Sequence, residues 1–270
     1  MKKHNFKKSL KSVINNLINA LPVSFRVKLK NLTDEICYLD YRGKHIRLII
    51  TSMIELKRSR SCDKEPDTIN WIENYMKKDQ VFYDIGANIG VYSLVAATHL
   101  NGQIKIYAFE PVSSSFTQLC RNIKLNSLQR SITPLNIALS SRDHVYEFKI
   151  NDFTAGSASH MGLLNPEEHL INNEFSYPVH ALTLDTAVRL FQLQFPDHIK
   201  IDVDGYEYFV LQGSLNTLKY KRLKTIQIEI EENSNEMQNI VKLLEKYMFK
   251  IKKKHVHENP LVNDYLFVRE

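Results

Sequence analysis

An α/β fold built on a mostly parallel sheet is what this sequence predicts, and three stretches predict it. Val81 to Ile85 is an apolar strand that turns through the glycine pair Gly86 and Gly90 into the apolar-periodic run Val91 to Leu100. A second strand, Ile104 to Phe109, follows and ends in Glu110-Pro111. Late in the chain, Phe249 to Lys253 and Tyr265 to Val268 are two strands in close succession, joined by a hairpin loop. Strand, glycine turn, helix is the layout of a nucleotide pocket at the carboxyl edge of a parallel sheet.

Taken in order, residues 1 to about 22 suggest a basic helix, with Val13, Ile14, Leu17, Ile18 and Leu21 at helical spacing and Pro22 as its stop. Asparagines interrupt its apolar run, so it is neither a signal peptide nor a bilayer span. Peripheral attachment to anionic lipid is one reading; packing on its own domain or on a second subunit is the other. Residues 36 to 54 alternate apolar and polar about Arg42-Gly43, a hairpin that covers one end of the fold. Glu65-Pro66-Asp67 opens a helix with Ile69, Ile72 and Met76 on its apolar face.

The glycine turn carries the first chemistry. Gly86 lets the backbone turn where a Cβ would clash, and Gly90 lets helix and strand approach closely. Asp84 stands two residues before Gly86. A pyrophosphate over such a turn wants N–H groups and no carboxylate beside it, so an acid here disfavours a dinucleotide. It suits S-adenosylmethionine (SAM), which carries a sulfonium and an ammonium. The spacing is Gly-x-x-x-Gly, not the Gly-x-Gly-x-x-Gly of dehydrogenases. The expected cofactor pocket is therefore Asp84, Gly86, Ala87, Asn88 and Gly90, with Glu110 at the next strand tip to accept from a ribose diol and Pro111 beside it. A helix over 114–126 follows, with Phe116, Leu119, Ile123 and Leu125 buried. A third strand, Ile132 to Leu139, places the small Ala138 at its tip, where an adenine ring needs room.

Residues 140 to 180 exceed a minimal core. A strand, Val145 to Ile150, runs into a polar stretch ending at His160. A long connection of this kind is usually functional or disordered, and it reads as an acceptor-side lid with His160 as a candidate general base. Thr183 caps the next helix. Then Lys200, Asp202 and Asp204 alternate onto one face of a strand, as do Gln227, Glu229 and Glu231 on the next. Central strands of a parallel sheet should be apolar on both faces, so these groups are paired or line a wet pocket. Lys200 with Glu229 reads as a structural pair. Asp202, Asp204 and Glu231 read as functional, lying nearer the carboxyl edge.

The runs VFYDIGANIGVYSL, IYAFEPVSSSFTQLCRNIKLN, NIALS, LTLDT and IKIDVDGYEYFVLQG resemble the FkbM family of SAM-dependent methyltransferases, over roughly residues 65 to 232. Where many members read Asp-Val-Glu-Gly, this chain has Asp202-Val203-Asp204-Gly205, the same charge one methylene shorter. The resemblance implies a class I methyltransferase (Rossmann-like) fold, a seven-stranded mostly parallel sheet with a reversed last strand. It also implies SAM-dependent O-methylation of a sugar, glycan or related small hydroxyl compound. Asp202, Asp204 and His160 are the catalytic candidates. By analogy with related sugar enzymes, Asp202, Asp204 and Glu231 are expected to hold Mg²⁺. Residues 1–64 are then an accessory of basic helix and hairpin, and residues 65–270 the methyltransferase domain.

With 270 residues, 43% of them hydrophobic, the chain has ample core for one domain. Three cysteines without Cys-x-x-Cys spacing speak against a disulfide framework or zinc and fit a cytoplasmic protein. The net charge of +6 is localised: residues 1–30 hold eight Lys/Arg and no acid, so the folded body is near neutral and is no nucleic-acid binder. No Pro-Pro occurs to receive a flipped base. A SAM-fold protein without activity, or a nucleotide-dependent oxidoreductase, is the alternative.

Overall fold

The computed structural model describes residues 17–32, 35–150, 153–156, 163–164, 175–232, 235–256 and 262–270. β1 (Glu35–Tyr38) and β2 (Arg47–Ile50) form the N-terminal hairpin. β3 (Val81–Ile85), β4 (Lys105–Phe109) and β5 (Ile132–Leu135) are one half of the central sheet. A second sheet is built from β6 (Ala138–Leu139), β7 (His144–Ile150), β8 (Leu163–Leu164) and β9 (Phe175–Leu182). The central sheet is completed by β10 (His198–Ile201), β11 (Thr225–Glu231), β12 (Phe249–Val256) and β13 (Val262–Arg269). Its order is β12-β13-β11-β10-β3-β4-β5, with β13 antiparallel to both neighbours. The expected seven-stranded, mostly parallel sheet with a reversed last strand is the observed fold.

β3 shows how the sheet divides the core. Successive side chains on a strand point to opposite faces. Phe82 packs with Trp71, Ile72, Leu94 and Leu119 on one side, while Val81, Tyr83 and Ile85 pack with Leu184, Ile199 and Leu211 on the other. The helix Pro66–Tyr75 starts on proline and buries Ile69 and Ile72, as its pattern requires. The helix Ser113–Leu125 buries Leu119 and Ile123, with Gln118 and Asn122 also buried. Those two amides hold the hairpin: Asn122 Oδ1 accepts from Ile49 N at 3.0 Å and Gln118 Nε2 donates to the Ile49 carbonyl. Leu39, Tyr41, Ile46 and Leu48 thereby join the same core as Trp71.

One expectation about elements changes. The third strand breaks after Leu135, and Ala138–Leu139 leaves the central sheet to pair with β9; Pro134 inside the strand lacks the N–H that would continue a ladder. The first helix stops before Pro22, as its pattern requires: residues 17–20 are helical, and a separate helix runs Val23–Leu32. Residues 1–16 of that segment, together with His160, lie outside the described residues. Among the described residues no helix is long and apolar enough to cross a membrane.

Candidate active site

The carboxyl ends of β3, β4, β10 and β11 meet in one cleft, and it is lined by most of the residues the sequence singled out: Gly86, Ala87, Asn88, Glu110, Pro111, Ala138, Asp202 and Asp204. Gly86 has φ +81, and a Cβ there would lie 1.8 Å from the Asp202 carbonyl oxygen. Only glycine lets the tips of β3 and β10 approach this closely. Gly90, at φ +91, starts the helix Val91–His99 and presses on Leu119, whose Cδ1 would be 2.4 Å from a Cβ. Gly90 acts on packing and does not line the cleft.

Glu110 is held from both sides. Its Oε2 accepts from Asn88 N and its Oε1 from Val112 N, both at 2.8 Å. Burial nevertheless raises its pKa to about 7 against those two bonds. Asn136 fixes the turn by donating to the carbonyls of Glu110 and Pro111 at 2.8 and 3.1 Å. One end of the cleft, with Val112, Ile137, Ala138 and Leu139, is apolar, the surroundings an adenine ring needs.

Asp84 is placed differently from the expectation. It is 1% exposed and sits below the cleft floor, where Oδ2 accepts from Ser93 Oγ at 2.6 Å. Burial raises its pKa, opposed by Lys200, which is its register partner on β10. Its other oxygen, Oδ1, is buried without a hydrogen bond. Its contribution to the cleft is a field from beneath rather than a contact.

Lys200 belongs to a polar seam on the face of the sheet under the helix Pro66–Tyr75. His198 and Thr225 share a hydrogen bond of 2.7 Å at the seam's lower end, and Trp71 Nε1 donates to Thr225 at 2.9 Å. Further up, Gln227 donates to Thr68 at 2.7 Å. Lys200, 2% exposed, then reaches the strand tip and places its ammonium 2.6 Å from Asp202 Oδ2 and 4.8 Å from the Tyr92 ring centre. The expected Lys200–Glu229 pair is therefore corrected. In the parallel register Lys200 lies opposite Gln227, and its long side chain extends towards Asp202 instead.

Glu229 joins the carboxylates. Oxygens of Asp202, Asp204 and Glu229 all lie within 4.8 Å of one another. Glu231, the residue expected in that role, is exposed at the end of β11 and does not line the cleft. The strand tip of β10 is level with Glu229, and two further residues carry Glu231 past the pocket. Burial would raise the Asp202 pKa, but Lys200 overcomes it and holds it low. Asp204, in the cleft mouth beside Asp202, rises to about 6, first through desolvation. Asp202's charge, then burial, pushes Glu229 to about 9.

Glu207, Tyr92, Arg58 and Lys64 of the site carry no signal in the sequence. Asp204 and Gly205 have φ +52 and +91, and this left-handed turn is held by Glu207, whose Oε1 accepts from Val203 N and Gly205 N at 3.0 and 3.2 Å. Tyr92 donates to Glu65, and Glu65, Lys64, Ser61 and Arg58 close the cleft from the N-terminal side. Arg58 Nε donates to the Gly156 carbonyl at 2.9 Å, bridging to the segment after β7. The Gly-x-x-x-Gly spacing marks the glycine turn; nothing comparable marks Arg58 or Glu207.

A Rossmann-like sheet in class I methyltransferase order, with a glycine turn, an acid at the second strand tip and acids at the fourth, defines a methyltransferase. The sequence profile of the methyltransferase FkbM domain matches residues 84–251, and the chain belongs to that family. It is 26% identical over 186 residues to the hexuronic acid methyltransferase AglP of Haloferax volcanii, covering 69% of this chain and 71% of that one. An FkbM methyltransferase structure from Methylobacillus flagellatus superposes with a TM-score of 0.52 at 13% identity, covering 72% of this chain. The match spans 44% of that longer chain.

Proposed function

We propose that the protein transfers the methyl group of SAM to a hydroxyl oxygen of a sugar. The observation that carries this is the contact of Gly86 with the Asp202 carbonyl, which sets a cofactor turn directly against the Asp202–Asp204–Glu229 cluster. Bound in the cleft, SAM supplies an electrophilic methyl on a sulfonium. The Glu110 carboxylate is placed for the ribose diol, and the apolar end by Ala138 for the adenine. Arg58 and Lys64, on the opposite side, suit the amino-acid carboxylate of the cofactor, with Glu65 for its ammonium. The acids around Asp202 favour the positive sulfonium.

A sugar hydroxyl needs a base as it attacks. Asp204 is the best placed, since it opens on the cleft and its pKa of about 6 leaves it ionised yet basic near neutrality. Asp202, bonded to Lys200, holds the geometry. The acceptor oxygen must sit about 3 Å from the methyl carbon, in line with the C–S bond. A sugar acceptor is supported by the AglP relative, named for hexuronic acid.

A divalent cation is a second reading, favoured by the three clustered carboxylates. The donor set, all hard oxygens, fits Mg²⁺; such an ion would lower the pKa of the bound hydroxyl. We further propose residues 1–64 as an accessory layer on the 65–270 methyltransferase domain, with residues 1–22 contacting anionic lipid.

The test is calorimetric titration with SAM, followed by incubation of methyl-labelled SAM with glucose, glucuronic acid and galacturonic acid. Tight binding and ether-linked label are expected. Uptake of NADH with indifference to SAM overturns the reading. Unchanged transfer after EDTA dialysis removes the metal and leaves Asp204 as base.

A further inference from the structure

The second sheet turns one face toward the cleft, and that face is aromatic. The β7–β9 register sets Tyr146 opposite Val179 and Phe148 opposite Tyr177, with Phe175 two residues along β9 on the same face. At its inner end the face is buried: Tyr146, Val179 and Ala181 pack with Val112 and Ala138 of the cofactor end. Phe148, 5% exposed, lines the cleft itself. From there the rings continue outward, Phe148 to Tyr177 at 6.1 Å, Tyr177 to Phe175 at 6.3 Å and Phe175 to Phe153 at 5.1 Å between centres. The last two are 53% and 55% exposed. Tyr206, two residues beyond Asp204, packs on the same cluster and also lines the cleft.

We propose that this stripe is the acceptor-binding surface and that the acceptor is an oligosaccharide, its reacting ring under Phe148 beside Asp204 and its following rings stacked on Phe175 and Phe153. The inference rests on the sugar reading above and extends it. A pyranose presents an apolar face of C–H groups with hydroxyls around its rim, so an aromatic ring binds it face-on and leaves the hydroxyls free. The stripe begins where the methyl must be delivered, and its length exceeds one sugar ring. A nucleic acid would also stack on aromatics, but it needs cations for its phosphates. Among the described residues the rings of the stripe, Phe148, Tyr177, Phe175 and Phe153, supply no cation, and the stripe leads to the Asp204 carboxylate, which repels a phosphodiester.

The experiment compares label transfer to glucose, glucuronic acid and galacturonic acid with transfer to oligosaccharides of each, using the wild type, Phe175→Ala and Phe153→Ala. Both rings are exposed, so both variants are expected to fold and to bind SAM with unchanged affinity by calorimetry. The expected result is a lower KM for the oligosaccharide in the wild type. In either variant that KM rises about tenfold, a loss of roughly 1.4 kcal/mol, with kcat and the monosaccharide KM unchanged. An oligosaccharide KM within twofold of wild type in both variants overturns the stripe and leaves the sugar reading standing. Transfer to no sugar of any length by a protein that binds SAM overturns both.

Discussion

At the scale of single residues, the two glycines of the cofactor turn do different work, and substitution should separate them. Gly86 faces backbone: an added Cβ meets the Asp202 carbonyl at 1.8 Å, which cannot move without parting β3 from β10. Gly90 faces the end of a leucine side chain, which can rotate. Both hold positive φ, a strain of roughly 1–2 kcal/mol for any residue with a Cβ. Gly86→Ala is therefore expected to cost about 4 kcal/mol in urea unfolding and to abolish SAM binding. Gly90→Ala should cost about half as much and keep measurable affinity. Equal losses in the two variants would show that the strand-tip contact is not the limiting feature. The sequence announced both glycines through their spacing. It was silent on Lys200 choosing Asp202 over Glu229, because that choice depends on which residue of β11 stands opposite Lys200, and register is a tertiary property.

Among the elements, β10 is informative because it breaks the rule for a central strand. His198 and Lys200 alternate on one face, where a buried parallel strand should be apolar; Lys200 is accommodated by Asp202 at its own strand tip, His198 by elements distant in sequence. His198 bonds Thr225 Oγ1 at 2.7 Å and Gln80 Oε1 at 2.9 Å, and Trp71 stands edge-on to it. Burial lowers its pKa to about 4. The folded state thus keeps His198 neutral where the unfolded chain already takes a proton. Its contribution is fully present above pH 6.5 and is lost as pH falls toward 4. The loss across that window is of order 3 kcal/mol. Urea unfolding between pH 4 and 7.5 should show it, and His198→Gln should be less stable at pH 7.5 yet flatter below 6.5. Parallel curves would assign the acid sensitivity elsewhere. The alternation of Lys200, Asp202 and Asp204 was legible; the structure pairs Lys200 with Asp202 and sets Asp202 and Asp204 in the cleft. The break of the third strand is masked in the sequence despite Pro134, because Ala138–Leu139 is apolar enough to continue the strand pattern. Its departure depends on β9, more than forty residues later.

For the whole molecule, the glycine turn was legible because it follows from local pattern, glycine spacing after an apolar strand, and the seven-stranded sheet because the motifs resemble a family that carries it. The second sheet's aromatic face was hidden because its rings come from two strands separated by residues 151–174, and only their antiparallel pairing aligns them. The N-terminus is the converse case, plain in composition. Residues 1–22 carry five lysines and no acid. In their described part, Leu17 and Ile18 are 66% and 44% exposed; the side-chain bond there from a later helix is Arg26 Nη1 to Asn19 Oδ1, 3.1 Å and exposed. On the proposal that the segment serves lipid contact and not the fold, deleting residues 1–22 is expected to shift the thermal midpoint by less than about 2 °C and to leave SAM affinity unchanged. If these lysines meet anionic lipid, each adds about 1 kcal/mol near the surface, screened by salt. The full chain should then sediment with phosphatidylglycerol vesicles at low salt, not with phosphatidylcholine vesicles, and should be released by 0.5 M salt, a concentration at which the screening length falls to about 4–5 Å. The truncated chain should stay in the supernatant throughout. Sedimentation of both chains alike would move the lipid contact to the folded body, and sedimentation of neither would return the segment to packing within or between protein chains.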